Sequence, residues 1–172
     1  MPKLDENIEI PEGVTVSMAD NILTVKGPKG EISKNLFAEN IKVSTDSGKI
    51  HFRADKNTKR ERKIAGSFKA HIMNIFAGVT DGHHMKMKIL SGHFPMTVTV
   101  NGPEFMVKNF FGEKTPRKLE IPEGVTVKVK GNDVDIESCD KELVGRVMSS
   151  IEKLTRRTDF DRRIFQDGII VV

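Results

Sequence analysis

The sequence predicts an α+β fold of two tandem similar domains, each an antiparallel β-sheet with one α-helix packed across one face. Three observations carry that prediction. Segments recur in order: Val25-Lys26-Gly27-Pro28 returns as Val100-Asn101-Gly102-Pro103, Lys34-Asn35-Leu36-Phe37 as Lys108-Asn109-Phe110-Phe111, and Ile64-Ala65-Gly66 as Leu143-Val144-Gly145. The spacing drifts only between 74 and 79 residues, as expected when one structural unit is used twice with a short insertion in the second copy. Each copy begins with short runs in which apolar and polar residues alternate, the period of a half-buried strand. Each then changes to apolar residues three and four apart, the period of a helix with one buried face. The expected domains are 1–82 and 83–172, joined through Val79-Thr80-Asp81-Gly82-His83-His84, too short a stretch for a free linker.

In the first domain Val14, Val16 and Met18, then Leu23 and Val25, then Ile41 and Val43, then Ile50 and Phe52 mark strands. Gly27-Pro28-Lys29-Gly30 and Asp46-Ser47-Gly48 are turn signals between them. Thr58-Lys59-Arg60-Glu61 has the form of a capping box, in which hydroxyl and carboxylate satisfy the free N–H groups of a helix start. From there Ile64, Phe68, Ile72, Ile75, Phe76 and Val79 form one helical face. In the second domain the strands are His84 to Leu90, Pro95 to Val100, Val125 to Val129, and Val134 with Ile136, with hairpin turns at Asn101-Gly102 and Gly131-Asn132. Leu143, Val147, Ile151 and Leu154 form the matching helical stripe. Gly66 and Gly145 fall at equivalent helix positions; since glycine there costs about 1 kcal/mol against alanine, a close approach of each helix to its sheet is expected. A louder echo, Ile10-Pro11-Glu12-Gly13-Val14-Thr15-Val16 against Ile121-Pro122-Glu123-Gly124-Val125-Thr126-Val127, lies in a different register. It reads as one way of starting a strand, used in two places.

Chemistry is sparse in this sequence. The single cysteine, Cys139, permits neither an intramolecular disulfide nor a four-cysteine zinc site and suits a reducing compartment. No apolar run reaches membrane-spanning length and the N-terminal residues lack an apolar signal core, so a soluble cytoplasmic protein without a membrane partner is expected. His83, His84 and His93 lie close in sequence, but no carboxylate or cysteine joins them at a ligand spacing, and no metal or other cofactor is expected. Gly27-Pro28-Lys29-Gly30 lacks the frame of a phosphate-binding loop, and no nucleophile elbow occurs. Neither an enzyme nor a small-molecule substrate is indicated.

The remaining signal is charge placement. The net charge of +4 divides evenly, with 13 basic and 11 acidic residues in 1–82 and 15 and 13 in 83–172. Three clusters stand out within that mild balance. Lys56, Lys59, Arg60, Arg62 and Lys63 surround the start of the first helix, where the helix dipole disfavours positive charge. Lys108, Lys114, Arg117 and Lys118 lie on or beside Phe110 to Pro122, the main insertion of the second copy. Lys153, Arg156, Arg157, Arg162 and Arg163 lie at the end of the second helix and beyond. Arginine forks pair with phosphate oxygens, so a phosphate-backbone partner is indicated. With no tryptophan or tyrosine and only Phe110, Phe111, Phe160 and Phe165 near basic residues, the expected contact is with phosphate and sugar of folded RNA.

At this point the chain resembles the universal L-six family of large ribosomal subunit proteins, in its archaeal branch. The resemblance rests on Ile10 to Val14, Leu23 to Gly30, Asn101 to Pro103 and, most specifically, Arg162-Arg163-Ile164-Phe165-Gln166-Asp167-Gly168-Ile169. It implies a non-enzymatic constituent of the large subunit that binds the main ribosomal RNA near the base of the lateral stalk, among neighbouring ribosomal proteins. It also implies that the second domain makes the principal contacts, through Lys153, Arg156, Arg157, Arg162 and Arg163, with Lys108, Lys114, Arg117 and Lys118 in support. Lys56, Lys59, Arg60, Arg62 and Lys63 would face RNA, a neighbouring protein or solvent. The competing reading is a protein-interaction module whose exposed sheet edges recruit a partner strand.

Overall fold

The computed structural model describes residues 4–46, 48–161 and 163–172. The chain divides between Gly82 and His83 into two compact units, each with its own core. The first contains β1 (Leu4–Glu9), β2 (Thr15–Ala19), β3 (Ile22–Gly27), β4 (Gly30–Asn35), β5 (Lys42–Asp46), β6 (Lys49–Ala54) and α1 (Lys59–Thr80). Its strands form two antiparallel sheets rather than one, ordered β1-β6-β5 and β2-β3-β4. The middle strands supply the most deeply buried side chains, Ile50 and Phe52 from β6 and Leu23 and Val25 from β3, and Ile72 and Val79 of α1 close over them. Thr58 caps α1 by accepting from the Arg60 N–H at 3.3 Å, and its hydroxyl donates to the Glu61 carboxylate. The carboxyl of Glu61 is held below its ordinary value chiefly by that hydroxyl.

The second unit contains β7 (His83–Leu90), β8 (Thr97–Asn101), β9 (Glu104–Lys108), β10 (Arg117–Glu120), β11 (Val125–Lys130), β12 (Asp133–Ser138), α2 (Lys141–Leu154) and β13 (Gly168–Val171). Its antiparallel sheets are ordered β11-β12-β7-β13 and β10-β9-β8. The β8–β9 hairpin stands at the repeat spacing from β3–β4, but the third strand is added on the opposite edge: β2 pairs with β3, whereas β10 pairs with β9. The insertion read from sequence as a loop thus supplies the strand that completes the second unit's sheet. Middle position passes to β9 accordingly, and its Phe105 and Val107 are fully buried while Val98 and Val100 of β8 are only partly so. The seven-residue echo starts β2 in one unit and β11 in the other, each through a glycine with positive φ, 80° at Gly13 and 84° at Gly124. Such values favour a residue without a Cβ.

The expected close approach at Gly66 and Gly145 is not found. Both glycines face away from the sheets, and a Cβ at either would meet nothing within 4 Å. The tight contact between helix and sheet lies instead at Gly27, where a Cβ would fall 2.7 Å from the Val79 carbonyl oxygen. The reason is angular: successive helical residues turn by about 100°, so burying Ala65 and Val144 turns the next residue outward.

Candidate nucleic-acid interface

The residues that follow β9 leave the sheet through unusual backbone. Asn109 (φ 59°), Phe111 (φ 50°) and Gly112 (φ 74°) are all left-handed, a conformation rare for an aromatic residue. Phe110 turns into the core while Phe111 packs outward against Phe94, Phe160 and Phe165. Phe111 and Phe160 are stacked, with centroids 5.0 Å apart. These rings fasten the loop to the segment after α2, so the two basic stretches of the second domain form one surface.

Charge reinforces the joint. Arg117, with a quarter of its side chain exposed, donates through Nε and Nη2 to the Glu113 carboxylate at 2.8 and 2.6 Å, and through Nη1 to the carbonyls of Leu154 at 2.6 Å and Arg156 at 3.4 Å. Its guanidinium lies 4.5 Å from the Phe110 ring centre. Glu113 also meets Nη1 of Arg157 at 3.6 Å. The Arg117 hydrogen bond holds the Glu113 carboxyl below its ordinary value against the opposing pull of burial, with the charges of Arg117 and Arg157 adding to it. Arg157 lies over Phe160 at 4.6 Å and Phe111 at 5.5 Å, geometry favourable for cation–π attraction.

The return to the sheet is held at two points. Thr155, buried at the end of α2, donates to the Glu152 and Ile151 carbonyls and accepts the Ile169 N–H at 3.0 Å, which tethers β13. Asp167, its side chain 4% exposed, accepts from the backbone N–H groups of Gly92, His93 and Phe94 at 2.9 to 3.2 Å and meets the His93 ring at 3.1 Å. Burial is the largest single influence on its carboxyl and pushes it up; the bonds from Phe94, His93 and Gly92 together outweigh it, and the net shift is downward. Asp167 thereby fixes the loop that carries Phe94 and Pro95 into β8.

The cations named from sequence have different surroundings. Lys108, Lys114, Lys153 and Arg156 are exposed, and no ion pair involves them among the described residues. Lys118 pairs with Glu104 at 3.0 Å. Arg163 is exposed but pairs with Asp161 at 2.7 Å. Arg157 is 30% exposed, while Arg117 spends most of its donors inside the unit. Arg162 lies outside the described residues. In the first unit Lys56, Lys59, Arg60, Arg62 and Lys63 are all exposed around the start of α1, with Arg62 donating to Asn57 at 2.6 Å. His84 meets Glu137 at 3.4 Å and His93 meets Asp167, so both serve in pairs across the sheet or loop. Sequence reasoning passed over Glu113, Asp167 and Phe94 as parts of this surface. The available signal was the Gln166-Asp167-Gly168 stretch, whose acid between apolar runs invites the question of what donates to it.

The molecule is thus of a defined class: a duplicated sheet-and-helix protein whose second copy carries an added cationic and aromatic surface. The family model for ribosomal protein L6 matches residues 10–82 and 94–168, one copy to each unit. A large ribosomal subunit protein uL6 from Methanosarcina mazei is 39% identical over 170 residues, covering 99% of this chain and 97% of its own. The uL6 proteins of Methanobrevibacter smithii and Saccharolobus solfataricus are each 41% identical, covering 97% and 98% of this chain and 94% and 93% of theirs. The chain belongs to the ribosomal protein L6 family, with archaeal relatives, and is accordingly a ribosomal protein rather than an enzyme.

Proposed function

We propose that the protein is a structural constituent of the large ribosomal subunit that binds the main ribosomal RNA through its second unit, near the base of the lateral stalk, in the cytoplasm. The observation that carries this is the joining of two separate basic stretches, by Glu113 and the stacked Phe111–Phe160 pair, into a single cation-bearing surface. The names of its relatives support the subunit; the family resemblance supports the stalk-base position. Exposed Lys153, Arg156, Lys108 and Lys114 take phosphates, with Arg163 and Lys118 beside them; Arg162, outside the described residues, is assigned the same role from its sequence alone. Arg117 acts by positioning the loop, and Arg157 both braces and binds. Neighbouring ribosomal proteins or further RNA take up Lys56, Lys59, Arg60, Arg62 and Lys63 of the first unit.

Binding to large-subunit RNA is then expected to weaken linearly with log salt, by about 0.7–0.9 per phosphate neutralised. Replacing Lys153 and Arg156 together by alanine lowers both the affinity and that slope; a titration with neither changed removes these residues from the interface. A second reading draws on β13, an edge strand with Ile170 and Val171 exposed, as a place for a partner strand. It predicts complex formation insensitive to salt and free of RNA.

A further inference from the structure

We propose that the aromatic group of the second unit is a seat for one unpaired RNA nucleotide, its base stacked on Phe94 and His93 and its phosphate held by Arg157. The inference rests on the RNA-binding reading above and adds the form of RNA recognised: a strand with a base turned out of its helix, beyond phosphate contact with a regular duplex.

The rings are placed in excess of what the fold needs. Five of the ten phenylalanines, Phe94, Phe110, Phe111, Phe160 and Phe165, form one connected group, and among them only Phe110 is fully buried. The repeat supplies an internal control. Leu36 and Phe37 occupy in the first unit the places of Phe110 and Phe111; Leu36 is buried as Phe110 is, but Phe37 is 67% exposed. The same core plan therefore closes without an aromatic group at this position. In the second unit the group is built at the expense of a left-handed Phe111, the kind of backbone that persists where surrounding contacts impose it and that gathers at functional sites.

The surroundings suit a nucleotide. Phe94 is 40% exposed and lies 5.9 Å, centre to centre, from Phe111; the His93 ring, also 40% exposed on its side chain, lies 4.7 Å from Phe165. Asp167 fixes the backbone of both residues, so their rings are presented from an ordered loop. Arg157 is oriented by two ring faces, and its one ion pair among the described residues is the 3.6 Å contact to Glu113. That leaves guanidinium N–H groups for an anion beside the rings. Aromatic faces for a base with a prepared cation for its phosphate is the pairing used for unstacked nucleotides. An apolar protein segment would use the rings but not the Arg157 N–H groups that Glu113 leaves over.

The test uses the full chain and two RNA hairpins of identical stem, one fully paired and one carrying a single bulged 2-aminopurine. The chain has neither tryptophan nor tyrosine, so the probe's fluorescence is read without interference. The bulged hairpin is expected to bind roughly tenfold tighter, within the range of one base–aromatic stack, with its fluorescence changed on binding as the base leaves its RNA neighbours. Phe94→Ala abolishes the preference and the fluorescence change while the paired stem keeps its affinity and salt slope. Phe94→Leu, which keeps apolar bulk without a ring, does the same, and Arg157→Lys, which keeps charge without the fork, weakens the bulged hairpin selectively. Equal, salt-dependent binding of both hairpins overturns the seat and leaves RNA binding standing. Absence of salt-dependent binding to either overturns the underlying reading and the seat with it.

Discussion

Asp167 is a buried carboxylate that stays charged because three consecutive backbone N–H groups and the His93 ring converge on it. Its ordinary value is 3.8 and the folded value is lower. A group lowered by folding contributes stability that is fully present above its unfolded value and is lost as pH falls through the folded one. Asp167→Asn keeps the shape but turns an N–H₂ group toward N–H donors and removes the charge that those donors bind. The expected loss is about 1–3 kcal/mol at neutral pH, with a shallower decline of stability below pH 4 than in the parent protein. Denaturant titrations at a series of pH values check both parts; equal neutral stabilities would remove the clamp from the account. Thr58 and Glu61 were apparent as a cap from their spacing, because a capping box is local. Asp167 and its donors lie more than 70 positions apart, and no local rule connects them.

Among elements, the helices and the end of β3 respond in opposite directions to the same substitution. Gly66→Ala and Gly145→Ala are each expected to stabilise the protein by about 0.4–1 kcal/mol, since alanine lowers the entropy of the unfolded chain and a methyl at either site meets no neighbour. Gly27→Ala is expected to destabilise by about 1–3 kcal/mol, because the methyl overlaps the Val79 carbonyl and side chain. Thermal melts of the three variants decide the matter, and a destabilising Gly66→Ala would restore the close approach expected from sequence. The strands marked by alternation, β2, β3, β5, β6, β7, β8, β11 and β12, owe their visibility to one wet and one dry face. Others carry weaker patterns. Leu4-Asp5-Glu6-Asn7-Ile8-Glu9 of β1 has two apolar residues four apart, β4 has Ile32 alone, and β10 lies in what reads as a Gly- and Pro-bearing loop. Pairing with β6, β3 and β9 respectively makes these segments strands.

At the scale of the molecule, the two cores share no residue: one is drawn from Leu4 to Val79 and the other from Met87 to Ile169. A fragment spanning 83–172 is therefore expected to fold alone and to bind large-subunit RNA with a salt slope close to that of the full chain, whereas 1–82 binds more weakly; filter-binding titrations of both against the intact protein test this. A slope carried mainly by 1–82 would transfer the RNA contacts to the cluster from Lys56 to Lys63. The duplication, the α+β class, the two helices with their buried stripes and the identity of the basic clusters are legible in the order of residues, because periodicity, caps and charge runs are properties of neighbouring residues. The folded arrangement alone settles which edge of each sheet receives its third strand, which arginines are consumed in bracing, and that five phenylalanines join into one group with Arg157 over two of its rings. Those outcomes depend on hydrogen bonds and ring contacts between segments far apart in the chain, whose energies exist only once the two sheets and the helix have brought them within a few ångströms.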